Sequence, residues 1–397
     1  MRYDFDRIID RRNTNCGKHD RNLINFGRDD VLSMWVADMD FPCPEPVVEA
    51  IRRRAEHPIY GYSFAPDSLY EAIVERMEKR YGWKIEKEWI LFNAGVVNGL
   101  YSAIKAFTHP GDEVIVQSPV YYPFYSAIKN NGCQVVHNPL KLENGRYYVD
   151  FEQLESLFEV RTTFPARSPR IKALVLCSPH NPTGRVFTRD ELQRLAEICL
   201  KHDCLIISDE IHCDLLVKGA RHTVTSSLSP EIQQNTITLM SASKTYNIAG
   251  LATSFVIIPD QKLRRQYMNL RAGHNSGNVF GMVATEAAFR YADDYLEQLQ
   301  DYLHENRRLF TEYIRKHIPR LKVIDGEGTY LVWVDMRDLG MDNLELQEFM
   351  RNEARLALDD GYAFGPGGEG FQRFNLACPR SIVEEALHRL EKAVNSL

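Results

Sequence analysis

Four polar segments, each directly following a short apolar run, hold the residue types able to do chemistry. Ser241-Ala242-Ser243-Lys244-Thr245 follows Thr236 to Met240. A lysine just past the end of a buried strand stands where α/β sheets take their ligands. Partial burial lowers its pKa and makes its amine a Schiff-base nucleophile, and the flanking Ser241 and Ser243 hydroxyls suit a phosphate. Asp209-Glu210 follows Cys204 to Ser208. A carboxylate at the end of an apolar run is costly to bury unless a cation or strong donor meets it, and a pyridinium N–H would do so.

Ser178-Pro179-His180-Asn181-Pro182-Thr183-Gly184 follows Lys172 to Cys177. Pro182 and Gly184 shape a turn there, and the Asn181 amide can donate to a phenolic oxygen. Asn93-Ala94-Gly95-Val96-Val97-Asn98-Gly99 follows Ile90 to Phe92 and opens a helix, whose free N–H groups attract a phosphate. Singly, each segment has a bland explanation: a solvated lysine, a helix cap, a turn, a strand-to-helix corner. Together they ask for an aldehyde, a protonated ring nitrogen, a phenolic oxygen and a phosphate. Those are the functional groups of pyridoxal 5′-phosphate (PLP).

The elements that must position these segments are legible as a rhythm. Runs at Trp89 to Phe92, Glu113 to Gln117, Gln134 to His137, Lys172 to Cys177, Cys204 to Ser208, Thr236 to Met240 and Thr253 to Ile258 are nearly continuous in Val, Ile and Leu. Strands buried on both faces read this way. Between them lie amphipathic stretches with helix-start signals: Thr188 with Glu191, Asp150 with Gln153, and Asp67 before Leu69 to Tyr81. The alternation predicts an α/β fold with a mostly parallel sheet. After about residue 278 the pattern changes to one long helical region reaching His317, then short strands and helices, which predicts a smaller α+β domain. The Pro-rich stretch from Phe41 to Pro46 reads as a rigid connector. The expected division is an N-terminal arm over 1–45, a large domain over 46–277 and a small domain over 278–397.

Other functions are set aside by composition and context. The chain of 397 residues has 48 basic against 54 acidic side chains, a net charge of −6, which offers no basic field for nucleic acid. It shows no apolar run of the ~18 residues a membrane span needs. Eight cysteines without a C-x-x-C pair predict free thiols and a cytoplasmic protein. Gly365-Pro366-Gly367-Gly368-Glu369-Gly370 matches a dinucleotide fingerprint, but a strand rather than a helix follows it. Asp209, His212, Cys213 and Asp214 lack the spacing of a zinc site, so no metal is expected.

In the order phosphate turn, aromatic, Asn, Asp, Lys, Arg, the chain resembles fold-type I PLP enzymes, the aspartate aminotransferase superfamily. More narrowly it resembles the MalY/PatB group of cystathionine β-lyase-like proteins. The matching stretches are Met34 to Pro42, His180 to Arg185, Ser208 to Asp214, Ser241 to Leu251, Gly328 to Asp335 and Arg373 to Arg380. The resemblance implies a seven-stranded large domain, a PLP cofactor and a homodimer with active sites at the subunit interface. It implies that Lys244 carries the cofactor and moves the proton at the substrate Cα, that Asp209 pairs with the ring nitrogen, and that Asn181 holds the phenolic oxygen. Tyr121 would stack on the ring. Gly95, Val96, Val97, Ser241 and Ser243 would bind the phosphate, with Tyr62, or its neighbour Tyr60, reaching the partner's phosphate. Ala37, Asn181 and Arg373 would receive the substrate, Arg373 by a bidentate link to its α-carboxylate. Many aminotransferases carry an arginine eight residues beyond the lysine; this chain has Ala252 there, and the lyase-like group shares the absence of that arginine. The implied activity is carbon–sulfur β-elimination on a small sulfur amino acid such as cystathionine or cysteine. Aminotransfer is the alternative, and a regulatory protein built on the same scaffold is an alternative of another class.

Overall fold

The computed structural model describes residues 2–163, 171–270 and 277–397. Its large sheet comprises β1 (Ile90–Asn93), β2 (Glu113–Val116), β3 (Gln134–His137), β4 (Ile171–Cys177), β5 (Leu205–Asp209), β6 (Thr236–Met240) and β7 (Ser254–Ile257). The spatial order is β1-β7-β6-β5-β4-β2-β3, with only β7 antiparallel to its neighbours. Residues of β2, β4, β5, β6 and β7 are buried almost throughout, on both faces, which is why these strands read as unbroken apolar runs.

Helices cover the two faces. They include α1 (Glu45–Ala55), α2 (Asp67–Tyr81), α3 (Val96–Phe107), α4 (Pro123–Asn130), α5 (Phe151–Thr163), α6 (Arg189–Lys201) and α7 (Gln261–Leu270). Thr188 and Glu191 form a reciprocal capping box at the start of α6. Asp150 accepts the Gln153 N–H at 3.1 Å, as its spacing predicts. Asp67 lies one position inside its expected cap: Pro66 is the cap and Asp67 opens the first turn, where its charge suits the helix dipole. The Pro-rich connector is only half a connector. Helix α1 begins at Glu45, with Pro46 in its first turn, a position where a missing N–H costs nothing.

The C-terminal part holds α8 (Val279–Tyr291), α9 (Asp293–His317), α10 (Asn343–Asn352) and α11 (Arg380–Asn395) around a four-stranded antiparallel sheet. Its strands are β8 (Lys322–Val323), β9 (Leu331–Asp335), β10 (Asp359–Asp360) and β11 (Phe371–Asn375), in the order β8-β9-β11-β10. The expected single helical region is two helices that break at Ala292, where Asp293 and Asp294 restart the first turn. Phe310, Ile314, Val332, Val334, Phe374, Leu387 and Leu390 form the core of this part, and Met34 of the arm is buried among them. No helix among the described residues is long and apolar enough to cross a membrane. All eight cysteines are free thiols.

Candidate active site

The C-terminal ends of β1, β4, β5 and β6 open onto one cavity of about 190 Å³. Its wall contains Ala37, Gly95, Val96, Val97, Tyr121, Asn181, Asp209, His212, Ser243 and Lys244. Segments up to about 200 residues apart therefore meet because parallel strands all deliver their C-terminal loops to the same edge. Ser241 and Arg373 adjoin this wall through Ser243 and Asn181, and Tyr62 is fully exposed and not part of it.

At one end lies the N-terminus of α3. Gly95 caps it with φ +104°, a conformation that side chains disfavour, and no acidic residue occupies the first turn. The N–H groups of that turn have no intrahelical acceptor and face the cavity as an anion site. Ser243 N–H donates to Ser241 Oγ at 3.0 Å, and Ser241 Oγ donates to the Thr253 carbonyl at 2.8 Å, which fixes the turn around Lys244. Ala252 lines this end with no charge to offer.

Asp209 defines the far side. It is buried, and its Oδ1 accepts the Ile211 N–H at 3.1 Å. Burial pushes its carboxyl up to about 7, against the pull of that N–H and of Lys244. Such a group gains from a cationic ring N–H placed against it. The Lys244 ammonium donates to the Ala37 carbonyl at 2.7 Å. Its pKa is drawn down to about 8, chiefly by burial and then by the Arg373 charge, with Asp38 and Asp209 pulling the other way. His212 is held neutral: burial, then Lys244 and Arg373, lower its pKa to about 3.

Asn181 links two parts of the site. Its backbone carbonyl accepts the Tyr121 N–H at 3.0 Å, and its Oδ1 accepts Arg373 Nη1 at 3.0 Å. Committing the oxygen to Arg373 leaves the amide N–H donors for the cavity. The same loop uses His180 internally, between the Gln117 carbonyl at 3.2 Å and Thr183 Oγ1 at 2.9 Å. The cavity chemistry thus fits PLP at each functional group: a helix N-terminus for phosphate, a buried carboxyl for the ring nitrogen, amide donors for the phenolic oxygen, and an activated amine for the aldehyde.

Several positioning residues escaped the sequence reading. The arm crosses the site as a strip whose carbonyls are captured in turn: Trp35 by Arg373 at 2.8 Å, Val36 and Asp38 by Asn375 Nδ2 at 2.6 Å each, and Ala37 by Tyr330 at 2.8 Å. Asn247 donates to Met39 and Phe41 carbonyls at 2.9 and 2.8 Å. Asp214 receives Arg76 at 2.8 Å, Arg80 at 2.5 Å, Tyr81 at 2.6 Å and Thr245 at 3.1 Å, so it ties α2 to the residue after Lys244. The matching stretches contained Asn247, Tyr330, Asn375 and Asp214, but the backbone acceptors of the first three leave no mark in a sequence, and Arg76, Arg80 and Tyr81 reach Asp214 from more than 130 residues away.

Residues 29–390 match the family described as aminotransferase class I and II. The chain belongs to that family. It is similar to cystathionine β-lyase PatB of Bacillus subtilis, with 38% identity over 98% of this chain and all of PatB. Among solved structures it resembles a PLP-bound putative aminotransferase of Clostridium difficile, at 42% identity and TM-score 0.95, over 99% of this chain and all of that one. It also resembles cystalysin of Treponema denticola, which contains PLP, at 37% identity and TM-score 0.94 over the full length of both chains. The fold is the fold-type I architecture that the resemblance implies, with the mostly parallel sheet that the strand rhythm predicts.

Proposed function

We propose that the protein is a PLP-dependent carbon–sulfur β-lyase acting on a cystathionine- or cysteine-type amino acid to give pyruvate, ammonia and a thiol. The single observation that carries the cofactor assignment is the pairing, across one cavity, of a lysine with a lowered pKa and a buried carboxyl with a raised one. The lyase assignment draws on the likeness to PatB over nearly the whole chain. Bound PLP supplies an electron sink for the carbanion at the substrate Cα.

The protein's own residues do the rest. Lys244 would hold the cofactor by its aldehyde and would take the proton from the substrate Cα. Asp209 keeps a proton on the ring nitrogen. Asn181 N–H groups would hold the phenolic oxygen, Tyr121 would pack on the ring, and the first turn of α3 with Ser243 and Ser241 would hold the phosphate. Arg373 binds the α-carboxylate, beside the Ala37 strip. The exposed Tyr62, or its neighbour Tyr60, would gain a role in a homodimer by reaching the partner's phosphate. The arm, large and small domains divide at 45/46 and 277/278.

The test is incubation with L-cystathionine and no keto acid. Many turnovers yielding pyruvate, ammonia and thiol together support the lyase. Turnover that stops near one equivalent and resumes only with 2-oxoglutarate replaces it with an aminotransferase. Borohydride reduction places the cofactor label on the Lys244 peptide; a label on another lysine refutes the site.

A further inference from the structure

The guanidinium of Arg373 is almost wholly engaged. Nη1 donates to Asn181 Oδ1 at 3.0 Å, and Nη2 donates both to the Trp35 carbonyl at 2.8 Å and to Asp359. Nε is buried without a partner among the described residues. A planar guanidinium offers a carboxylate two bidentate edges, Nη1 with Nη2 or Nε with Nη2. Both edges use Nη2, and both Nη2 hydrogens are taken. The donors that remain, Nε–H and one hydrogen of Nη1, do not share an edge. A ligand carboxylate can therefore make two parallel bonds only by displacing Trp35 or Asp359.

The two occupants differ in freedom. The Trp35 carbonyl belongs to the strip whose next three carbonyls are held by Asn375, Lys244 and Tyr330. Asp359 contributes a side chain, which can leave Nη2 by a change of rotamer with no shift of the backbone. It stands opposite Arg373 in the β10–β11 register, so the sheet delivers it to the guanidinium. Its neighbour Asp360 is engaged elsewhere, with Gln372 at 2.9 Å and Arg351 at 3.3 Å.

We propose that Asp359 is an internal stand-in for the substrate carboxylate, closing the bidentate edge of Arg373 in the free enzyme and giving it up when an α-carboxylate docks. It thereby sets the affinity for the carboxylate end of the substrate. This rests on the reading of Arg373 as the carboxylate site.

The experiment titrates the PLP-loaded enzyme by calorimetry with propionate, a carboxylate that has no amine, and with propionamide as the uncharged control. Asp359→Asn keeps the side-chain shape and drops the charge, so propionate binds about tenfold or more tighter because no closed form competes. Propionamide does not change. The KM for L-cystathionine falls in parallel, and the gain in kcat/KM is carried by KM rather than kcat. A strut that merely holds Arg373 predicts the reverse sign. Unchanged or weaker propionate binding in Asp359→Asn, with binding abolished in Arg373→Ala, overturns the proposal while leaving Arg373 as the carboxylate site. Propionate binding that survives Arg373→Ala overturns the assignment of Arg373 itself, and the proposal with it. A crystal structure of the unmutated enzyme with propionate supplies a readout independent of variant folding: Asp359 should have left Nη2, and an Asp359 still bonded there beside a bound propionate refutes displacement.

Discussion

Lys244 is the proposed nucleophile of the site, and pH is the cleanest perturbation of it. Its pKa is drawn to about 8, first by burial and second by Arg373. An ordinary lysine sits near 10.4, so at pH 7 about one Lys244 in eleven is neutral, against roughly one in 2,500 for a solvated lysine. The neutral amine is the nucleophile. Covalent capture of PLP by cofactor-stripped enzyme should rise about tenfold per pH unit below 8 and level off above it. The assay follows cofactor absorbance after mixing, with N-acetyl-lysine amide as a parallel reaction. Dividing the two rates cancels the titrations of PLP itself and isolates the amine. The ratio should be flat well below pH 8 and fall between about 8 and 10, where only the free amine still gains neutral form. Replacing Arg373 by Gln removes a neighbouring cation and should move the bend to higher pH. A ratio that stays level through pH 10 would falsify the assignment of an activated lysine at this position.

Further outcomes follow from the same geometry. Asp209→Asn should retain PLP yet lose on the order of 10²–10³ in kcat, since it removes the charge that holds the ring proton; near-normal turnover in the loaded variant excludes that role. Arg373→Ala should raise KM for all α-amino acid substrates together, roughly 10- to 150-fold for a lost charged hydrogen-bond pair, whereas an effect on one substrate alone means that it reads a side chain. Asp214→Ala leaves Arg76 buried without its close counter-ion, and urea unfolding should show a loss of about 3–5 kcal/mol. An unchanged midpoint counts against that network as the anchor beneath Lys244.

The strand ends were legible because a doubly buried strand writes itself as an apolar run, and the first polar residue after it is necessarily at the sheet edge. Gln134–His137 and Thr236–Met240 coincide with their predicted bounds, and the other five strands of the large sheet lie within one residue at either end. Local chemistry that involves two chain segments was harder to see. The hairpin of Lys141–Glu143 and Arg146–Tyr148 went unread, although Asn144-Gly145 at its turn, both with positive φ, is a strong short-range hairpin signal. Its strands are only three residues each, too short for alternation to register. The Phe41 to Pro46 stretch, which reads as a rigid connector, ends inside a helix instead: Pro46 stands in the first turn of α1, where its fixed φ suits the helix and its missing N–H costs nothing.

The site shows the same division between what one segment can declare and what only folding can assemble. Lys244, Asp209 and Asn181 each announce themselves, because a polar residue after a buried run is costly without a partner. Asp359 announces nothing. It lies in Leu358-Asp359-Asp360-Gly361, where two acids before a glycine read as a surface turn. Only the antiparallel register of β10 with β11 sets it across from Arg373 and makes it a competitor for that guanidinium. The residues proposed to hold the cofactor are therefore written in the sequence one by one, whereas a residue proposed to tune how tightly the substrate is held arises from pairing between strands. Variation in affinity among relatives should accordingly be sought first at such cross-strand partners rather than at Lys244, Asp209 or Arg373.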